Sequence, residues 1–191
     1  AIEIPATIDG RSVTSIGERA FQDCTSLTGI IIPDSVTSIG DLAFASCTGL
    51  THIVVADANP NYSSMGPLLL NKNGTVLIAY PSASGDFTIP DSVTSIGDYA
   101  FSNCTSLTSV TIGDSVTSVG DFAFYGCTSL TSVTIGDSVT SIGDYAFGGC
   151  SDLAGIRLKS IAAPTIGSGA FYGISSTAVI YYTPGATGYA A

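Results

Sequence analysis

Apolar and polar positions along the chain recur with a period of 23 residues. Residues 91–113 read DSVTSIGDYAFSNCTSLTSVTIG and residues 114–136 read DSVTSVGDFAFYGCTSLTSVTIG. The four swaps (Ile96/Val119, Tyr99/Phe122, Ser102/Tyr125 and Asn103/Gly126) leave the apolar pattern intact. A third copy opens at Asp137 and loosens after Cys150. In each unit a Leu-x-x-Val-x-Ile run alternates apolar and polar positions, the signature of a half-buried strand. The Val and Ile of SVTSIG add a second, shorter apolar edge, which Gly breaks. In the second unit Asp41 is then placed to cap a short helical or 3-10 turn through Ala43 and Phe44 into Cys47. Near-identical units of this length, stacked on one another, form a solenoid with one turn per period.

Taken in order, residues 1–24 form a distorted first turn with a bulged corner at Asp9-Gly10. Residues 25–47 are regular, with Leu27, Ile30 and Ile32 on the strand. The period breaks between Cys47 and Cys104, and the excess lies at about residues 56–86. There Leu68–Leu70 and Val76–Tyr80 flank Asn71-Lys72-Asn73-Gly74, which predicts an inserted β-hairpin. Phe87-x-Ile89-Pro90 resumes the repeat. After Ser151 the pattern drifts, and residues 178–182 are expected to form a last strand, with about 160–191 as a C-terminal cap over the open end of the core. The expectation is one domain, 1–191, of six turns and about 30 Å in length.

Composition narrows the picture. Apolar residues make up 45% of the chain and charged ones 10%, enough for a continuous core. The 22 glycines suit one-residue corners at every turn. A formal charge of −10 argues against nucleic acid and anionic lipid, which need a basic footprint. No apolar run approaches the roughly 18 residues of a membrane span, so no membrane insertion is expected. Ile2-x-Ile4-Pro5 matches Ile30-x-Ile32-Pro33, so the chain opens mid-repeat and is expected to be a piece of a longer protein.

Cys24, Cys47, Cys104, Cys127 and Cys150 share one place in the repeat. Stacking sets them in a column at roughly 4.8 Å spacing with side chains pointing the same way, poor geometry for disulfides. They are expected to be buried free thiols filling space like small apolar side chains. With no CxxC pair and a single His, no metal centre is expected.

Stacking also sorts the outward positions into columns. One holds Gly29, His52, Ser109, Ser132 and Gly155, and the next holds Ile31, Val54, Thr111, Thr134 and Arg157. From these, Ile31, His52, Val54, Ser109, Thr111, Ser132, Thr134 and Arg157 form the candidate contact surface. Ile31 and Val54 are apolar on an outward face; either the hairpin covers them or they anchor a partner. Leu42, Tyr99, Phe122 and Tyr145 form an aromatic-rich column that either shields the core or holds a sugar or protein partner. Asp34, Asp91, Asp114 and Asp137 recur at one corner, and Asp41, Asp98, Asp121 and Asp144 at another. Stacked carboxylates invite calcium, while ordinary turn hydrogen bonding explains them without a metal. His52 lacks a framed nucleophile or orienting acid, and no enzyme activity or cofactor is expected. Three glycosylation sequons begin at Asn61, Asn73 and Asn103.

The period lies in the 20–29 residue range of leucine-rich repeats. The unit IP-x-SVTSIG-xx-AF-xx-C-xx-L-xx-V-x-I resembles the BspA-like leucine-rich repeat family over essentially the whole chain. The hairpin stretch and the ending Tyr181-Tyr182-Thr183-Pro184-Gly185 are similar to modules of that family. The resemblance implies a right-handed leucine-rich-repeat solenoid of the α/β repeat class. It further implies a secreted or cell-surface bacterial protein that binds host or neighbouring-cell proteins through the solenoid surface. A structural spacer presenting another domain and a glycan-binding module are the alternatives.

Overall fold

The 23-residue period is realised as hydrogen-bond register. A computed structural model describes residues 1–188, and in it Ser109, Val110, Thr111 and Ile112 pair in parallel with Ser132, Val133, Thr134 and Ile135. Those in turn pair with Gly155, Ile156, Arg157 and Leu158. Alternation does the rest: Val110, Val133 and Ile156 are buried, as are Ile112, Ile135 and Leu158, while the residues between them turn outward. Ser84–Thr88, Ser106–Ile112, Ser132–Ile135, Gly155–Leu158 and Val179–Tyr182 make one five-stranded sheet. Ile2–Glu3, Gly29–Ile32 and His52–Val55 make a separate three-stranded sheet. Together they describe about seven turns, one more than the six expected.

The SVTSIG segments build the opposite wall. Ser95–Ile96, Ser118–Val119, Ser141–Ile142 and Thr165–Ile166 stack in parallel, each a two-residue strand with its apolar residue directed inward. Between the walls runs a file of rings. Phe101 and Phe124 stack at 4.6 Å, Phe124 and Phe147 at 5.0 Å, and Phe147 and Phe171 at 5.3 Å. Phe101, Phe124 and Phe147 are completely buried, worth roughly 1.5–3 kcal/mol each in transfer free energy.

The corner expected to be a helical or 3-10 turn is neither, and the described residues contain no helix. Arg19, Leu42, Tyr99, Phe122, Tyr145 and Gly169 all have positive φ, as do Asp23, Ser46, Asn103, Gly126, Gly149 and Gly173. Two left-handed residues per layer prevent a helix, which needs consecutive right-handed ones. What results is a chain of tight turns whose N–H groups alternate in direction. Ala100 and Ser102 donate within their layer, to Gly97 and Tyr99, whereas Tyr99, Phe101 and Asn103 donate to the carbonyls of Asp121, Ala123 and Tyr125 in the next.

The first turn holds a hairpin in place of the expected bulge. Thr7–Ile8 pairs antiparallel with Arg11–Ser12, and Asp9 and Gly10 both have positive φ. That is the conformation a two-residue hairpin loop demands.

The segment at 56–86 is a turn of the solenoid in its own right. Tyr62–Met65, Leu68–Asn71 and Val76–Ala79 form an antiparallel meander, and the last of these pairs in parallel with Ser95–Ile96. Tyr80 then takes the place of the Phe in the file: its N–H donates to Ala100, and its carbonyl accepts from the Cys104 thiol. Asp86 and Thr88 stand level with Ser109 and Thr111. The uninterrupted Leu68-Leu69-Leu70 run follows from this placement. Leu69 packs with the N-terminal core cluster, and Leu68 and Leu70 with the C-terminal one, so both faces of the strand are buried. The expected continuous core is therefore two cores with the meander between them.

At the far end, Val179–Tyr182 pairs with Gly155–Leu158. Ile166, Ile180 and Tyr182 occupy the inward columns there but remain exposed. Residues 189–191 of the expected cap lie outside the described residues.

Candidate binding surface

The eight predicted surface residues fall on two sheets. Ile31, His52 and Val54 lie on the three-stranded sheet, and Ser109, Thr111, Ser132, Thr134 and Arg157 on the five-stranded one. Ser109 and Thr134 are half-buried and the other six exposed. The predicted columns, in which Ser109 follows His52 directly, are interrupted, because a whole layer carrying Asp86 and Thr88 stands between them. Alternation around Phe87-x-Ile89 was the signal for both residues.

On the three-stranded sheet Ile31 sits beside Val54, with Glu3 on its other side. The meander does not cover this pair as one expectation had it: Ile31 is 36% and Val54 50% exposed. The meander instead extends the row. Ile53 N–H donates to Gly66 and Val55 N–H to the Ser64 hydroxyl, which sets Met65, also 50% exposed, level with Val54. Next to this apolar row, His52 Nδ1 lies 2.8 Å from the Thr51 hydroxyl.

The five-stranded face is polar and internally bonded. Asp86 accepts from Ser109 Oγ at 2.7 Å and Thr108 Oγ1 at 3.0 Å, and these bonds hold its carboxyl below the usual range. At the other edge the Arg157 guanidinium lies 5.7 Å over the Tyr181 ring. Tyr181 and Val179 extend the two outward columns beyond the residues picked out from the sequence.

The remaining columns make bonds and contacts from layer to layer. Asp98, Asp121 and Asp144 each accept, through Oδ1, the backbone N–H of the equivalent residue one layer on, at 2.7–2.8 Å. Asp114 does the same for Asp137 and also pairs with Lys159, which lowers its pKa. Each carboxylate thus bonds the next turn instead of its own. Among the described residues no three His, Cys, Asp or Glu side chains converge as a metal would require.

The thiol column is buried at Cys47, Cys104, Cys127 and Cys150, but Cys24 is exposed, having no layer beneath it. The thiols donate to the carbonyls of Phe21, Tyr80, Phe101 and Phe124 one layer back. Burial pushes Cys47 up to about 11. The neighbouring Cys104 and Cys150 thiols, together with burial, push Cys127 well above the ordinary thiol value.

Tyr99, Phe122 and Tyr145 stack face to face at 5.2 and 5.3 Å and are half-buried. Phe122 is covered on both faces by its neighbours, so the column presents ring edges and the outer face of Tyr99. No helix among the described residues is long and apolar enough to cross a membrane.

The chain matches the BspA type leucine rich repeat region in six copies over residues 2–67 and 80–186. It is similar to a leucine-rich repeat protein of T. pallidum, at 30% identity and a TM-score of 0.54, over 90% of this chain and 75% of that one. It is also similar to a leucine-rich cell surface protein of Faecalibacterium prausnitzii, at 34% identity and a TM-score of 0.63, over 90% of this chain and 52% of that one. The pneumococcal vaccine antigen PcpA shares the fold at 17% identity and a TM-score of 0.64, over 94% of this chain and 51% of the antigen. This chain therefore spans about half the length of the last two. No curated protein matches it. With the repeat register, the ring file and the thiol column all in place across these layers, the chain belongs to the BspA-type leucine-rich repeat family.

Proposed function

We propose that this chain is a non-catalytic protein-binding module of a secreted or cell-surface bacterial protein. Its partners would be proteins of a host or of neighbouring cells, engaged through the two outward sheet faces. The observation that carries this reading is the bare apolar row of Ile31 and Val54 on the three-stranded parallel sheet, extended by Met65 of the meander. Exposed apolar side chains aligned on a fixed frame anchor interfaces, and the polar face of Ser109, Thr111, Ser132, Thr134 and Arg157 supplies a rim of weaker contacts. Similarity to a cell surface protein of F. prausnitzii supports the location.

The test is adhesion of beads coated with this protein to cultured epithelial cells and to a neighbouring bacterium. Ile31→Ser with Val54→Ser is expected to cut adhesion by about tenfold, the loss of one hot-spot pair. Ser132→Glu with Thr134→Glu should cut it by less, and His52→Ala should leave it within about twofold. Unchanged adhesion in both double variants, with the fold intact by circular dichroism, would mark the solenoid as a spacer.

A further inference from the structure

The corner ladder has one layer missing, and the gap is lined with groups that the ladder elsewhere saturates. In every other turn the ring of the Phe file stands five positions after the inward Ile or Val, as from Ile39 to Phe44 and from Ile96 to Phe101. In the meander turn Leu77 pairs with Ile96, and Tyr80 stands for the Phe, only three positions later. The two residues lost are those that supply the carboxylate and the aromatic-column side chain of the layer. What remains is a notch of about 70 Å³ lined by Asp41, Leu42 and Phe44 on one lip and Asp98, Tyr99 and Ser102 on the other. Ile78, Ala79 and Pro81 form its floor.

Hydrogen bonding confirms the vacancy. Arg19, Phe21 and Asp23 donate their N–H groups to the layer after them, and so do Tyr99, Phe101 and Asn103. The equivalent N–H groups of Leu42, Phe44 and Ser46 find no acceptor among the described residues, although Phe44 is buried. Asp41 likewise lacks the next-layer N–H that Asp98, Asp121 and Asp144 each receive. Of these residues Phe44 is buried and Leu42 and Ser46 are half-buried; a buried N–H without a protein partner is rare in a folded chain and is open to water or a ligand. Phe122 covers one face of the Tyr99 ring, and the other face borders the notch. Burial, then the Asp41 and Asp98 charges, raise the Tyr99 pKa, while the chain's own Arg19, paired with Glu18, acts in the opposite direction.

We propose that this notch is a docking site for an arginine side chain carried on an extended segment of a partner protein. The unbonded Asp41 carboxylate, with Asp98 beside it keeping only Oδ2 free of the ladder, calls for a cation, and the slot between Leu42 and an aromatic face suits a planar one. The free N–H groups of Leu42 and Phe44, two residues apart along the notch, match the carbonyl spacing of an extended chain. The volume is far below the roughly 300 Å³ or more of a small-molecule pocket and suits the head of one side chain. The site lies at the corner, away from the sheet faces, and stands independently of the reading given for them.

Fluorescence anisotropy with labelled Ac-Gly-Ala-Arg-Ala-Gly-NH2 and its citrulline counterpart tests the proposal. The arginine peptide is expected to bind at least about tenfold tighter than the neutral isostere. Asp41→Asn with Asp98→Asn should remove that preference. Asp121→Asn with Asp144→Asn, on the same ladder but outside the notch, should keep binding within about twofold, as should Ile31→Ser with Val54→Ser. A Gly-Asp insertion between Ile78 and Ala79, which restores the corner, should abolish binding; if it unfolds the chain, the Asn variants carry the test alone. Equal binding of the two peptides would overturn the proposal, and so would equal losses in both Asn pairs, which would mean bulk charge. Dimerisation without peptide that the Asp41→Asn/Asp98→Asn protein loses would also overturn it, by making a second copy the occupant.

Discussion

Asn59 stands where the second turn passes into the meander, completely buried and fully bonded. Its Nδ2 donates to the Pro33 and Val36 carbonyls at 2.7 and 2.9 Å, and its Oδ1 accepts from the Asn61 and Tyr62 N–H groups, both at 2.9 Å. Asn59→Ala strands the Val36 carbonyl and two N–H groups and leaves Pro33 O only a long bond from Val36 N–H, so a loss of about 3 kcal/mol is expected in urea unfolding. The thiols give a second prediction. Cys47 and Cys127 hold their protons to higher pH in the folded chain than in the unfolded one, where a thiol ionises near 9. The Cys47 contribution is complete below pH 9 and is lost as pH rises from 9 toward about 11, and that of Cys127 is lost in the same direction. The midpoint of urea unfolding should fall across that window, and Cys47→Ala should flatten the fall. Stacking alone made the thiol column legible in the sequence. Asn59 was not, since NPNY looks like any turn until Pro33 and Val36 lie beside it.

At the scale of the element, two glycines in one corner act for different reasons. Gly149 has φ +71°, and an added Cβ would meet nothing closer than 3.7 Å. Gly149→Ala should therefore cost only the left-handed penalty, about 1 kcal/mol. Gly143 has no positive φ, but a Cβ there would come within 2.6 Å of the Asp121 N and the Gly120 carbonyl carbon. Its layer cannot move without breaking the carboxylate ladder, so Gly143→Ala should cost more, about 3 kcal/mol, when the two variants are compared in thermal melts. The composition had suggested corners that need glycine for its backbone freedom; in the Ile-Gly step the cause is the close approach of the next layer. The helical turn expected at Ala43-Phe44 fails for a related reason. A capping Asp before a short apolar pair is compatible with a helix start, yet no propensity scale registers that Leu42 and Ser46, on either side of the pair, take the left-handed φ of the repeated corner.

For the molecule as a whole, the meander divides the core, with Leu69 on one side and Leu68, Leu70 and Leu77 on the other. Stability in such arrays is a sum of layers and their interfaces, so the smaller N-terminal cluster should open first. Native-state hydrogen exchange is expected to show Ile30, Ile32 and Ile53 amides exchanging at lower free energy than those of Val110, Val133 and Ile156. Leu69→Ala should lower the first group by about 2–5 kcal/mol and leave the second nearly unchanged. A single opening event shared by all six amides would mean that the meander couples the two cores instead of dividing them. Near-identical repeats determined the strand register, the inward columns, the Phe file and the hairpin, because each depends only on period and alternation, which a chain carries in one dimension. Tertiary structure alone decided that the 56–86 segment is a full layer, that Ile31 and Val54 stay bare beside Met65, and that a corner is left open between Asp41 and Asp98. Those three outcomes depend on which layers come to lie against one another once a turn departs from the period, and the spacing of residues along the chain does not contain that.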